Sequence, residues 1–211
     1  MNPEAFERDL IAKLGAEGFR RVRAAKIGIA GAGGLGSNCA TALVRSGFRD
    51  LVIADFDVID DTNLDRQAYF ADQVGRPKVE ALAENLHRTL PGLTLHALVL
   101  KLDRSNLPSV FAECDAVVEC FDQADAKSMF VETLLPTGKF LVTASGLGGI
   151  GASDEIRIHR IRENLVMIGD LRSDIRRTPA LAPRVAIAAA KQADVVLEYV
   201  VKGMGGNAAA G

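Results

Sequence analysis

Apolar positions along this chain follow two periods in turn. Continuous apolar runs fall at Lys26 to Ala30 (KIGIA), Asp50 to Asp55 (DLVIAD), Leu95 to Leu100, Asp115 to Cys120 (DAVVEC) and Lys139 to Ala144 (KFLVTA). Runs of this length read as strands covered on both faces. Between them apolar residues return every three or four positions, as on one side of a helix. Such stretches are Leu35 to Ser46, a helix opened by Pro77 with Val79, Leu82, Ala83, Leu86 and Leu90 on one stripe, Ser105 to Glu113, and Gln123 to Leu135. Pro3 opens a first helix that runs to about Arg23 and is interrupted near Gly15–Gly18. The alternation predicts an α/β, Rossmann-like fold: a mostly parallel sheet with helices on both faces.

The pattern changes after Ala144. Ser145 to Arg184 contains Gly146, Gly148, Gly149 and Gly151, a strand-like stretch from Glu155 to Ile161, and an arginine-rich loop, LRSDIRRTPALAPR. A closing helix is expected from Val185 to Lys202, with Val185, Ala188, Ala189, Val195, Val196 and Tyr199 on its apolar side. One domain is expected over residues 1–202. The glycine- and alanine-rich residues 203–211 read as a flexible tail.

Bulk composition narrows the function classes. With 25 basic and 27 acidic residues the net charge is −2, so no general basic field invites nucleic acid. No apolar run approaches the roughly 18 residues of a membrane span, and the amphipathic start does not resemble a signal peptide. Cys39, Cys114 and Cys120 form no C-x-x-C pair or disulfide framework, which suits a reducing cytoplasm.

The candidate chemistry begins in KIGIAGAGGLGSN, where Gly31, Gly33 and Gly36 fit G-x-G-x-x-G between a strand and a helix. Glycines let the backbone approach a phosphate, and the helix amino end offers it unpaired N–H groups. Asp55 ends the next strand, where an acid accepts hydrogen bonds from ribose hydroxyls in both NAD and adenine-nucleotide sites. DTNLDRQAYF follows. A dinucleotide site has little need for Arg66 there, whereas a triphosphate brings charge to be neutralised. Lys78 stands in the first turn of a helix, a placement that costs about 0.3–1 kcal/mol against the dipole; it reads either as a solvated lysine or as a phosphate partner. Asp122 ends a central strand, where it can hold magnesium, cap the next helix, or do both.

Together these elements resemble the adenylating domain of the ubiquitin-activating superfamily, in its compact ThiF-type form. The resemblance rests on Gly31, Gly33, Gly34, Leu35, Gly36 and Ser37, on Asp55 and Asp57, on Asn63, Arg66 and Gln67, on Lys78 and on Asp122. It implies that ATP and Mg2+ bind at the glycine loop and that the carboxyl-terminal glycine of a ubiquitin-like sulfur carrier (ThiS-like, in thiamine thiazole synthesis) is activated as an acyl-adenylate. By resemblance Arg66 holds the outer phosphates, Lys78 the α-phosphate, Asp55 the ribose and Asp122 the metal, while Asn63 and Gln67 shape the pocket. A homodimer is implied as well. The chain departs from longer relatives in having no cysteine after Cys120, so no zinc is expected, and in carrying Gln123 and Lys127 where relatives often have Asn and Arg. Arg20 and Arg21 are candidates for an arginine that reaches a partner's ATP. The competing classes are an NAD-dependent oxidoreductase, a non-catalytic module that docks a ubiquitin-like protein, and a relative adenylating a tRNA or a molybdopterin carrier. The loop from Leu171 to Arg184, with Arg172, Arg176, Arg177 and Arg184, is expected to be mobile and to steer an acidic carrier.

Overall fold

The computed structural model describes residues 3–175 and 177–203. In chain order the elements are α1 (Pro3–Ala24), β1 (Lys26–Ala30), α2 (Gly34–Arg45), β2 (Asp50–Asp55), α3 (Lys78–Thr89), β3 (Thr94–Val99), α4 (Leu107–Val110), β4 (Ala116–Glu119), α5 (Ala124–Leu134), β5 (Phe140–Ala144), β6 (Arg157–Arg162), β7 (Leu165–Gly169) and α6 (Ala182–Lys202). The seven strands form one sheet in the order β3-β2-β1-β4-β5-β7-β6. All pairings are parallel except β6 with β7. Strand order reverses between β1 and β4. In an open α/β sheet, ligands settle at such a reversal, beyond the carboxyl ends of the strands.

The pleat sorts each apolar run onto two cores. Ile27, Ile29, Leu51, Ile53, Val118 and Val142 face one side and pack with Leu43 and Val44 of α2, Leu82 and Leu86 of α3, and Val195 and Val196 of α6. Val52, Val117 and Leu141 face the other side and meet Leu107, Phe111, Phe130 and Leu134. Gly28 makes room there: a Cβ on it would lie 2.5 Å from the Phe111 ring.

Several elements differ from expectation, among them α6, which begins at Ala182 and not at Val185. The helix expected from Ser105 to Glu113 shrinks to Leu107–Val110, because its two anchors, Leu107 and Phe111, need only one turn to reach the core. Asp103 holds the chain outside the helix by accepting from the N–H groups of Ser105 and Asn106. β7 was not anticipated. Its run LVMIG is short and lies within a region dominated by glycine and arginine, yet it is largely buried between β5 and β6. The expected strand from Glu155 to Ile161 begins later, at Arg157, after a 3-10 turn over Ser153–Glu155. The interruption expected in α1 is a kink at Gly15, with φ 72° and ψ 161°. The expected tail beyond Gly203 lies outside the described residues, as does Arg176.

Arg184 ties the carboxyl-terminal region together. It is 4% exposed and pairs with Asp170 at 2.5 Å. Its other N–H groups donate to the carbonyls of Leu147, Gly151 and Ala152. Burial pushes the Asp170 carboxyl up, but the N–H groups of Ser173 and Arg172 and the Arg184 charge outweigh it, so it lies below the usual carboxylate range. Asp170 therefore contributes stability above its unfolded-state pKa, and that contribution is lost as pH falls through the lower folded-state value. Arg184→Ala strands the buried Asp170 charge and is expected to cost about 3–5 kcal/mol in urea unfolding at pH 7. A loss below about 1 kcal/mol would mean the pair contributes no more than a surface ion pair.

Candidate functional site

The crevice at the strand reversal is built from the backbone outward. β1 runs into Gly31, whose φ of 103° suits glycine. A Cβ there would lie 2.9 Å from the Cys120 carbonyl oxygen, and one on Gly36 would lie 1.9 Å from the Gly31 oxygen. These two positions let α2 start directly above the reversal. Gly33 is the N-cap of α2 and supplies no side-chain cap, and the first turn carries no acid. The first amides of the helix are left for an anion.

The segment after β2 is stapled onto this loop. Asn38 donates from its side-chain amide to the Gly34 and Arg66 carbonyls at 2.7 and 3.1 Å. The Ala68 N–H donates to the Ser37 hydroxyl at 3.0 Å, and that hydroxyl donates to the Gly33 carbonyl at 2.8 Å. The Tyr69 hydroxyl donates to the Ala32 carbonyl at 2.6 Å, and burial raises its pKa. Ser37 and Leu35 are buried, and the Ser37 hydroxyl is engaged within the loop. Asn38 and Tyr69 support the site from outside the motif positions named above. Asn38 stands inside the quoted GLGSN, and Tyr69 is an aromatic in an otherwise polar loop.

Asp55 ends β2 at the expected place. Its two oxygens accept from the Ala32 and Asp57 N–H groups at 2.6 and 2.8 Å. Burial raises its pKa, and these N–H donors oppose the rise. Lys78 is buried and pairs with Asp57 at 2.8 Å. That pair offsets the penalty expected for a cation at a helix amino end, and it holds the ammonium beside the crevice. Arg66 donates to the Thr62 carbonyl and to Asp65 at 3.0 and 2.6 Å. Its Cγ lies 3.6 Å from where a Gly34 Cβ would be. Gln67 is 9% exposed, and its Oε1 is buried without a partner. Its side-chain nitrogen lies 3.9 Å from the position of a Gly33 Cβ. The Asn63 side chain instead closes the Asp60 turn, accepting from the Asp60 N–H at 3.2 Å.

Asp122 is exposed in the turn between β4 and α5. It is not the helix cap, since Gln123 occupies that position. No cluster of three or more His, Cys, Asp or Glu residues suited to a metal occurs among the described residues. A single open carboxylate nonetheless fits a magnesium ion whose other ligands are phosphates and water. Cys39, Cys114 and Cys120 are all buried, and burial pushes the Cys39 thiol up to about 12. Arg21 donates to the Val201 carbonyl and so serves α6. No helix among the described residues is long and apolar enough to cross a membrane.

The arginine-rich loop is more tied down than expected. Arg184 is the buried anchor described above, and Arg172 pairs with Glu155. The Gly149 N–H donates to the Pro179 carbonyl, and Gly149 bridges Ala180. Gly146 and Gly148 are close-packed, since a Cβ on them would meet Asp170 at 2.1 Å and the Thr178 oxygen at 2.2 Å. Only Gly149 and Gly151 leave open space. They line, with Ile150, Leu181, Pro183 and Arg184, a small, open, apolar cleft.

A doubly wound sheet with a glycine loop at its reversal and an acid ending the next strand is an α/β architecture of the Rossmann-like class, in which ligands settle at such a reversal. The family is identified by comparison: residues 6–202 match the ThiF family, and the chain belongs to it. It is 33% identical over 138 residues to "Adenylyltransferase and sulfurtransferase UBA4" of Yarrowia lipolytica, covering 65% of this chain and 35% of that one. It is 34% identical over 139 residues to "Adenylyltransferase and sulfurtransferase MOCS3" of Caenorhabditis briggsae, with the same coverage of 65% and 35%. The matched part thus spans about a third of those relatives' length. In fold, the chain is similar to Escherichia coli tRNA N6-threonylcarbamoyladenosine dehydratase, TcdA, in complex with AMP, with a TM-score of 0.84, 19% identity and 92% of each chain covered. It is also similar to Escherichia coli MccB with ATP, with a TM-score of 0.70, 23% identity, and 88% of this chain and 59% of that one covered.

Gly36→Ala is expected to abolish nucleotide binding, because its methyl group would occupy the Gly31 carbonyl. A nucleotide-induced rise in thermal midpoint that persists in this variant would show that the loop is not the phosphate cradle.

Proposed function

We propose that the protein is an ATP-dependent adenylyltransferase that activates the carboxyl-terminal glycine of a ubiquitin-like sulfur carrier. The observation that carries this reading is the charge set around the uncapped start of α2. Lys78 is buried and paired with Asp57, Arg66 packs against Gly34, and the unpartnered Gln67 oxygen lies in the same segment. That inventory exceeds what a dinucleotide needs, which disfavours an NAD-dependent oxidoreductase. An intact set of cations likewise disfavours a module that only docks its partner. The names of relatives at 33–34% identity point the same way.

In the proposed reaction a carboxylate oxygen of the carrier tail attacks the α-phosphorus of ATP. The new P–O bond forms as the bond to the bridging oxygen breaks, and pyrophosphate leaves with the electron pair. Arg66 would hold the outer phosphates and Lys78 the α-phosphate, leaving Asp57 as it does so. Asp55 would accept from the ribose, and Asn63 and Gln67 would shape the pocket. Asp122 would hold Mg2+, which supplies further charge neutralisation when bound. Such catalysis consists mainly of positioning and electrostatic stabilisation. We assign the carrier as ThiS-like, acting in thiamine thiazole synthesis in the cytoplasm, and the enzyme as a homodimer. The open stretch from Gly149 to Gly151 is the proposed path of the carrier tail.

Calorimetry should give binding with ATP and magnesium and none with NAD; the opposite result would reverse the ranking. Arg66→Ala and Lys78→Ala should each slow carrier-dependent ATP–pyrophosphate exchange about a hundredfold or more, equivalent to ~3–4 kcal/mol of lost transition-state stabilisation. Near-wild-type exchange in either variant would remove that residue from the mechanism. Ile150→Asp should weaken carrier binding while leaving ATP affinity unchanged, and sedimentation at micromolar concentration should show a dimer.

A further inference from the structure

A second carboxylate stands three residues before Asp122, and the proposed reaction does not use it. Glu119 ends β4 and is fully buried. Its Oε1 accepts from the Phe121 N–H at 2.6 Å and from Lys127 Nζ at 2.9 Å. Its Oε2 accepts from Lys127 Nζ at 3.1 Å, from the Thr143 hydroxyl, and from the Ala144 N–H at 3.4 Å. Its backbone carbonyl accepts from the Gln192 side-chain amide at 3.0 Å. Lys127 comes from α5, Thr143 and Ala144 from β5, and Gln192 from α6. Two elements, α5 and β5, therefore converge on this side chain at the strand reversal, and a third, α6, holds its backbone carbonyl.

A buried ion pair is a poor way to gain stability, since well-packed apolar residues of similar size often do as well or better. The placement of this one matters more than its strength. The Phe121 N–H closes onto Glu119 two residues back and bends the chain sharply out of β4. Asp122 is the next residue. The preceding residue, Cys120, is fixed too: its N–H donates to the Ala30 carbonyl, and its own carbonyl lies under Gly31. Lys127 reaches back from the first turns of α5, so both ends of the turn that carries Asp122 are fastened to the same carboxylate.

We propose that Glu119 and Lys127 are positioning residues: together they lock the β4–α5 turn and thereby set how well Asp122 takes a phosphate-bound divalent cation. This rests on the assignment of Asp122 to magnesium made above. Supporting groups behind a metal ligand commonly change metal affinity about 10–100-fold when removed.

The test is calorimetry of ATP binding to the full chain with and without Mg2+, read as the gain in affinity that the metal confers. Asp122→Asn should abolish the gain. Lys127→Met should reduce it about tenfold with metal-free ATP affinity unchanged, and Lys127→Arg should restore it. Thr143→Val removes one donor from Glu119 without disturbing the charge pair, and it should reduce the gain in the same direction. It decides the matter if Lys127→Met fails to fold, as judged by its thermal midpoint. If the gain survives in Lys127→Met, or in Thr143→Val in its place, while Asp122→Asn loses it, the positioning role is overturned and the metal assignment stands. If Asp122→Asn keeps the gain, the metal assignment is wrong and the positioning role falls with it.

Discussion

The site depends on one close approach of backbone to backbone. Gly31 passes so near the Cys120 carbonyl that a Cβ would lie 2.9 Å from its oxygen. This contact joins the carboxyl ends of β1 and β4 where the sheet reverses. It lets α2 begin with its amides exposed to the crevice, and it sets the height of the turn that carries Asp122. Gly36 completes the arrangement by folding α2 back over Gly31. Side chains at either position would push the helix away from the sheet, and the anion site would open into solvent.

Around that backbone the charged groups are held in pairs before any ligand arrives. Lys78 rests on Asp57, Arg66 on Asp65, and Lys127 on Glu119. Pairing lowers the cost of keeping cations in a partly buried crevice. In the proposed reaction Lys78 and Arg66 would each need only a short exchange to reach a phosphate, whereas Lys127 stays on Glu119. Asp55 is fixed differently, by two backbone N–H groups, so it is aimed without being neutralised.

Much of the fold was legible in the sequence because strands and helices alternate with unmistakable periods. KIGIA, DLVIAD and DAVVEC sit within a residue of where the pattern put them. The glycine loop, Asp55 and Lys78 were legible for a related reason: each occupies the end of an element whose position the pattern defines. What escaped was long-range. Ser37 and Leu35 belong to the glycine motif by spacing, and their burial shows only in the fold. Glu119 sits in plain view in DAVVEC, yet only the convergence of Lys127, Thr143 and Gln192, from three elements, gives it a role. β7 was missed because four apolar residues, Leu165 to Ile168, give too short a signal. Arg184 read as a steering charge on a mobile loop because its partner, Asp170, and the carbonyls it holds become neighbours only on folding.

Ile150 lies at the tip of the glycine-rich turn and is 87% exposed. The turn around it is secured by contacts that do not involve its side chain, namely the Arg184 bonds to Gly151 and Ala152 and the Pro179 bond to Gly149. A change of residue at this position therefore has almost no folding cost, while it alters what the open cleft presents. Such a position is where divergence can be cheap. If the carrier tail takes the proposed path through this cleft, a change at this one peripheral side chain would retune partner choice with the sheet and the glycine loop left untouched.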